Sequence, residues 1–170
     1  MNKFFLFIVA LTTVAINVNA QNWEMINVDG DELKDTKPHI EMIYSDNSRN
    51  DGNIFQVSDK EENVFILKTN KAFFDFSSIK GANHRFTTTG KIGLYDKNGQ
   101  LVEKLEILFE VYEPATICYP NKYTKGGGNN YKRSKKVINY IKKESGFVRF
   151  LLPLYNTTEY FDLKVPTLND

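Results

Sequence analysis

The side chains best suited to chemistry are basic residues clustered late in the chain. The segment 121–143 contains eight Lys or Arg residues and no Asp or Glu. Six of them fall where apolar residues recur at helical spacing, so they should share the outward arc of one helix. They are Lys132, Arg133, Lys135, Lys136, Lys142 and Lys143. Such a basic arc can contact an anionic polymer, an acidic protein or an anionic membrane surface.

The same charges are also typical of a solvated helix face, or of a face that pairs with acids elsewhere in the chain. The segment 23–62 is the acidic counterpart, with eleven acids against four basic residues. Without the first 20 residues the chain has 21 basic and 21 acidic residues, because Lys3 is the only charge removed. Zero net charge, with no recognition motif beside the basic arc, argues against a nucleic acid partner.

Tyrosine is the second residue type that favours binding. Seven tyrosines lie between Tyr112 and Tyr160. Their rings offer rigid amphipathic area that suits protein contacts and stacking on sugars, although such rings also pack in cores. Tyr123 and Tyr131 lie on either side of the glycine run 126–128, next to the basic arc. We therefore include these two in the candidate contact surface.

Motifs for nucleotide binding and catalysis do not occur at the required spacings. The glycine run 126–128 lacks the Gly-Lys-Ser/Thr and Gly-x-Gly-x-x-Gly patterns of phosphate-binding loops. His39 and His84, the two histidines, have no spaced metal partners and no neighbouring nucleophile motif. We therefore predict no catalytic residues, no cofactor and a non-catalytic protein, although distant strands could still assemble a triad or a carboxylate pair.

The segment 46–53 bears a partial likeness to a calcium loop. Asp46, Ser48 and Asn50 stand at alternate positions, but Asp51 occupies the sixth place, where the helix–loop–helix motif needs glycine. No glutamate closes the loop at the twelfth place. We predict a polar hairpin loop and no metal, with a weak, irregular calcium site as the alternative.

The single cysteine, Cys118, lies in the apolar run 116–119. No disulfide within the chain is therefore possible, and the domain must rely on its core. Free cysteine is among the most buried residue types, so we expect an inert thiol. The alternatives are a bond between chains or a reactive thiol.

The first 20 residues have the layout of a secretory signal peptide. Lys3 supplies the positive start, residues 4–16 are mostly apolar, and Val18 and Ala20 place small residues before a cut after Ala20. The apolar run is shorter than the roughly 20 residues that a membrane span needs. We therefore predict a secreted or periplasmic protein, with one domain over residues 21–170 and no transmembrane segment after signal removal. A buried or anchoring N-terminal helix is the alternative.

The fold class is predicted from about eight short runs rich in β-branched and aromatic residues. Runs 64–69 and 71–76 are expected strands, and 91–95 and 101–112 flank Asn98-Gly99, which predicts a hairpin turn with positive φ at both central positions. A flexible loop at 126–130 should precede one amphipathic helix near residues 131–143. Together these elements predict a mainly β protein, an antiparallel β-sandwich or barrel with a single helix.

The function that these residues favour is an exported, non-catalytic binding or interaction module of the cell envelope or exterior. The basic helix is its candidate contact surface, and the partner is an unknown protein, a glycan or an anionic surface. One alternative is a β-barrel-like carrier of a small apolar ligand. Another is a hydrolase that acts on envelope or extracellular polymers through a carboxylate pair.

Overall fold

The computed structural model describes residues 23–29, 37–46, 51–59, 64–75, 86–112, 115–121 and 127–169. The predicted signal peptide lies outside these residues. Within them the chain forms nine strands and one helix, which confirms the mainly β, antiparallel prediction with a single helix. The elements in chain order are β1 (Trp23–Val28), β2 (His39–Asp46), β3 (Asn53–Ser58), β4 (Phe65–Lys68), β5 (Phe86–Asp96), β6 (Leu101–Tyr112), β7 (Ile117–Pro120), α1 (Gly127–Lys143), β8 (Gly146–Pro153) and β9 (Tyr160–Pro166).

All nine strands belong to one sheet in the order β1-β2-β3-β4-β7-β6-β5-β8-β9, and every neighbouring pair is antiparallel. The sheet is not closed into a barrel. It curls so that β9, at one edge, comes close to β2 and β3. The half that contains β1–β4 therefore faces the half that contains β5, β6, β8 and β9 across one core, as the layers of a sandwich do.

Phenylalanine rings fill the core between the two halves. Phe55 of β3 stacks on Phe150 of β8 with ring centroids 5.4 Å apart. Phe65 of β4 lies 5.4 Å from Phe150 and 5.9 Å from Phe109 of β6. All four side chains are fully buried. These contacts are geometrically typical of favourable aromatic pairs, and they hold the first four strands against β6 and β8.

The β5–β6 hairpin is confirmed, but the predicted turn geometry is wrong. Only Gly99 has a positive φ, 76°, whereas Asn98 does not. The Asp96 carboxylate accepts hydrogen bonds from the N–H groups of Asn98 and Gln100, both at 2.9 Å. Gln100 O also accepts from Asp96 N–H at 3.0 Å. These bonds stabilise a three-residue loop that needs glycine at one position only.

The strand predicted at 71–76 is wrong over its described residues, because Lys71–Asp75 pair with no strand in the part of the chain that the structure describes. The Phe73 N–H instead bonds Ala115 O at 2.8 Å, outside β7. The Phe73 ring enters the core, 5.7 Å from the ring of Phe161. The aromatic content of this segment thus reflects burial rather than strand pairing.

The helix is longer than predicted. Its C-terminal end at Lys143 agrees with the sequence, but it begins at Gly127, so the flexible loop expected at 126–130 is wrong for residues 127–130. The side chain of Asn130 is bonded to β6 and to Asn121, which holds this first turn in place. Among the described residues, no helix has the length and apolar composition that crossing a membrane requires.

Candidate functional site

Helix α1 lies beside the part of β6 that β7 leaves uncovered. β7 pairs with β6 only from Phe109 to Tyr112, so within the described chain residues 101–108 have no strand neighbour on that side. Unpaired strand edges expose a row of N–H and C=O groups that must be satisfied or protected. Three side chains of α1 perform this task, and two of them belong to the predicted basic arc.

Asn130 provides the most buried contact between the helix and the strand edge. Its Oδ1 accepts a hydrogen bond from Leu108 N–H at 3.1 Å, and its Nδ2 donates to Leu108 O at 2.7 Å. The same Nδ2 donates to Asn121 O at 3.2 Å. The residue is 6% exposed, so these bonds form away from water. Asn130 therefore fixes the start of α1 against β6.

Arg133 and Lys136 continue the contact along β6. The Arg133 guanidinium donates to Glu106 O at 2.7 Å, and the Lys136 ammonium pairs with the Glu103 carboxylate. The backbone bond does not neutralise the charge of Arg133, whereas Glu103 largely compensates Lys136. This partner acid belongs to β6, not to the acidic segment 23–62.

A groove of about 450 Å³ opens between α1 and the edge of β6. Four basic and two acidic side chains line it, so its formal net charge is +2. The lining residues are Glu103, Lys104, Leu105, Glu106, Lys132, Arg133 and Lys136. The predicted residues Lys132, Arg133 and Lys136 are thus brought together, with Lys104 of the strand as a fourth cation.

The other predicted basic residues lie away from the groove. Lys135 and Lys142 do not line it, and Lys143 is in the last turn, where its charge suits the helix dipole. Tyr131 is half-buried. It lies four residues before Lys135, which places both side chains on the same side of the helix, so Tyr131 also faces away from the groove. Tyr123 lies outside the described residues. The structure therefore divides the basic arc into two flanks.

The remaining tyrosines do not gather beside the groove. Tyr119 is in β7, and Tyr140 of α1 packs against the core. Tyr155 and Tyr160 are exposed at the β8–β9 hairpin. The tyrosine-rich composition of the later half is therefore spread over several surfaces.

The residues considered for other chemistries are engaged or buried. Cys118 is fully buried as expected, and burial raises the pKa of its thiol well above the usual value, which keeps it protonated and unreactive at neutral pH. His39 Nδ1 lies 3.0 Å from Lys37 O, and its Nε2 lies 3.7 Å from Glu41. His84 lies outside the described residues. In the described part of the chain, no three His, Cys, Asp or Glu side chains are grouped to hold a metal ion.

The segment 46–53 is described only in part, since Ser48 and Asn50 lie outside the described residues. The Asp51 carboxylate pairs with the Lys71 ammonium at 3.1 Å, and Lys71 also pairs with Glu159 at 2.9 Å. Hydrogen bonds to Glu159 and then to Asp51 raise the pKa of Lys71. This network ties the β2–β3 loop to the β8–β9 turn, so Asp51 faces a lysine.

Sequence reasoning missed the strand side of the groove and the anchoring role of Asn130. Lys104 and Glu106 alternate with buried residues in β6, but periodicity within one strand does not reveal which element lies beside it. Asn130 gave no local signal, because its partners lie 22 and 9 positions away.

Comparison with family models, with curated proteins and with solved structures gives no match to this chain.

Proposed function

We propose that this chain is an exported, non-catalytic binding module that holds an anionic partner in the groove between α1 and β6. The observation that carries the proposal is the groove itself. It is about 450 Å³ in volume, and its cations come from two different elements that hydrogen bonds and an ion pair hold together. A preformed recess with convergent like charges is better suited to binding than a row of isolated surface lysines.

The charge balance favours a partner that is negatively charged over an extended length. Glu103 compensates Lys136, and the Glu106 carboxylate opposes one further charge, which leaves the equivalent of two uncompensated cations in the groove. The helix contributes three more cations outside the groove and contains no acid. The resulting field should accelerate encounter with an anionic partner and weaken as salt is added.

The fully buried thiol of Cys118 is not available as a nucleophile, which agrees with a non-catalytic role. The export part of the proposal rests on the N-terminal sequence. The phenylalanine rings that contact one another between the sheet halves give no support to the carrier alternative.

The test is binding of the purified protein to three anionic probes at low and high salt. The probes are hexagalacturonate, polyphosphate of matched charge, and phosphatidylglycerol vesicles. The variant is Lys132→Glu, which reverses an exposed groove cation. The matched control is Lys97→Glu. Lys97 is exposed in the β5–β6 hairpin, does not line the groove and is not part of α1.

We expect Lys132→Glu to weaken the binding of at least one anionic probe by roughly fivefold at low salt, because a favourable contact of about 1 kcal/mol is lost. Lys97→Glu should change binding by less than about twofold, which corresponds to less than about 0.5 kcal/mol. The proposal is wrong if none of the three probes binds at low salt, or if both variants have the same effect.

A further inference from the structure

A second hollow lies on the outer face of the sheet, directly across β6 from the groove. It measures about 210 Å³ and lies over β6, β5 and β8. The residues that matter for its chemistry are Lys91, Tyr95, Leu101, Lys104, Arg149 and Leu151. Lys104 lines both this hollow and the groove, so the two recesses meet at the edge of β6.

The walls of the hollow combine cations with apolar and aromatic surface. Lys91 and Lys104 are exposed, and Leu101, the first residue of β6, keeps 53% of its surface exposed. Arg149 is held by two hydrogen bonds to the Asp162 carboxylate, at 2.7 and 2.6 Å. Arg149 and Asp162 therefore form a fixed base. Lys91, which lies opposite Glu106 in the β5–β6 register, and Lys104 supply the exposed cations of the hollow.

Tyr95 is the aromatic wall. Its ring is parallel to that of Phe147, with centroids 4.6 Å apart and an angle of 8° between the planes. Phe147 belongs to β8, which lies on one side of β5, whereas Leu101 belongs to β6 on the other side. Tyr95 is thus fixed in orientation by Phe147 and also lines the hollow.

We propose that the groove and the hollow form one continuous track for an acidic polysaccharide, a reading that rests on the proposed function. A simple polyanion needs cations only, and the exposed Leu101 and the oriented Tyr95 ring would add nothing to its binding. A sugar ring has apolar C–H faces that pack against aromatic and aliphatic side chains, while its carboxylates bind lysine. In the track, one sugar unit packs on Tyr95 beside Leu101, and later units pass Lys104 and Lys91 to reach Lys132 and Arg133 across β6.

The experiment compares hexagalacturonate with polyphosphate of matched charge by titration calorimetry, using the purified protein. Lys91→Glu changes the hollow alone, Lys132→Glu changes the groove alone, and Lys97→Glu is the control with the same charge change. Tyr95→Leu removes the ring but keeps an apolar side chain, and Tyr95→Phe keeps the ring. Thermal unfolding of each variant verifies that it is folded at the assay temperature.

We expect Lys91→Glu to weaken hexagalacturonate binding roughly fivefold, as one exposed ionic contact is lost. Tyr95→Leu should weaken hexagalacturonate binding several-fold and leave polyphosphate binding unchanged. Tyr95→Phe should bind both probes like the parent protein. Lys132→Glu should weaken hexagalacturonate as well, because the track passes through the groove.

Four outcomes overturn the track. If Lys91→Glu behaves like Lys97→Glu while Lys132→Glu weakens binding, the groove acts alone, and the proposed function stands without the hollow. If Tyr95→Leu affects both probes equally, or polyphosphate binds as tightly as hexagalacturonate, the ligand is not recognised as a sugar. If only the phosphatidylglycerol vesicles bind among the three probes of the test for the proposed function, the partner is a membrane surface. Failure of Lys132→Glu to weaken any probe instead rejects the proposed function itself.

Discussion

At the scale of single residues, Asn130 shows how one side chain can stand in for a missing strand. Its Oδ1 is the acceptor that a neighbouring peptide group would present to Leu108 N–H, while Leu108 O accepts from both Asn130 Nδ2 and the Asn121 N–H, the latter at 2.8 Å. A third bond, to Asn121 O, links the same amide to the segment that follows β7. The result is an edge protected by a helix, which prevents β6 from pairing with other chains at this point.

We expect Asn130→Ala to lower the free energy of unfolding by about 2–3 kcal/mol, because it removes three hydrogen bonds and leaves the Leu108 N–H without its acceptor at a buried position. Urea denaturation measures this loss. Asn129→Ala is the matched control, since Asn129 is exposed in the same helical turn, and it should stay within about 0.5 kcal/mol of the parent protein. Equal losses in the two variants would show that Asn130 does not anchor the helix.

The candidate site could be predicted from sequence only on its helical side. Periodicity identified the basic residues that point away from the core, and Lys132, Arg133 and Lys136 do line the groove. The same periodicity could not separate them from Lys135, because it does not specify the element that lies next to each flank. Lys104 could not be assigned to the site, since its proximity to α1 follows from where β7 stops pairing with β6.

At the scale of elements, strands with strong alternation were predicted better than segments whose structure depends on distant partners. β6 runs from Leu101 to Tyr112 as predicted, since buried and exposed residues alternate along most of it. By contrast, β5 begins at Phe86 rather than Lys91, because it is extended by pairing with β6. Pairing is a property of two segments, and a single segment does not carry it.

Gly99 and Gly146 have positive φ and lie at or beside the ends of strands. Gly99 has φ 76° in the β5–β6 hairpin, and no atom lies within 4 Å of the position that an added Cβ would take. Gly146 has φ 139° at the start of β8, and an added Cβ would overlap the Tyr95 carbonyl oxygen. A side chain at position 99 would therefore introduce conformational strain alone. A side chain at position 146 would introduce strain together with a clash against β5.

We expect Gly99→Ala to lower the free energy of unfolding by about 1 kcal/mol, the usual cost of a left-handed conformation in an L-residue. Gly146→Ala should lower it by at least about 3 kcal/mol, because β8 must move away from β5 to remove the overlap. Urea denaturation of both variants under one set of conditions gives the comparison. Similar losses would mean that the close approach of Gly146 to β5 does not constrain the fold.

At the scale of the whole molecule, the curl of the sheet is the feature that sequence patterns could not predict. Strand number, turn signals and composition fit a sandwich and a barrel equally well. The distinction depends on whether the edge strands β1 and β9 pair, and within the described chain they do not. The pairings of β4 with β7 and of β5 with β8 bring together segments far apart in the chain. These pairings place Phe55 and Phe65 against Phe150, so one cluster of rings joins both halves.

Because Phe150 joins the two halves, its removal should destabilise the molecule as one unit. We expect Phe150→Ala to lower the free energy of unfolding by about 3–5 kcal/mol, as is usual for a buried phenylalanine. Trp23, the single tryptophan, lies in β1 and contacts Tyr44 of β2 and Phe55 of β3, so its fluorescence reports unfolding of the half opposite Phe150. The urea transitions by Trp23 fluorescence and by far-ultraviolet circular dichroism should shift together.

The control for this prediction is Tyr160→Ala, an aromatic residue of β9 that is 56% exposed, which should shift both transitions by less than about 0.5 kcal/mol. A Phe150→Ala protein whose circular dichroism transition moves while the Trp23 transition stays in place would contain two halves that unfold separately. Coincident shifts would instead mean that groove and hollow rest on one cooperative unit. In that case a loss of ligand binding by a folded variant can be attributed to the substituted side chain rather than to local unfolding of one half.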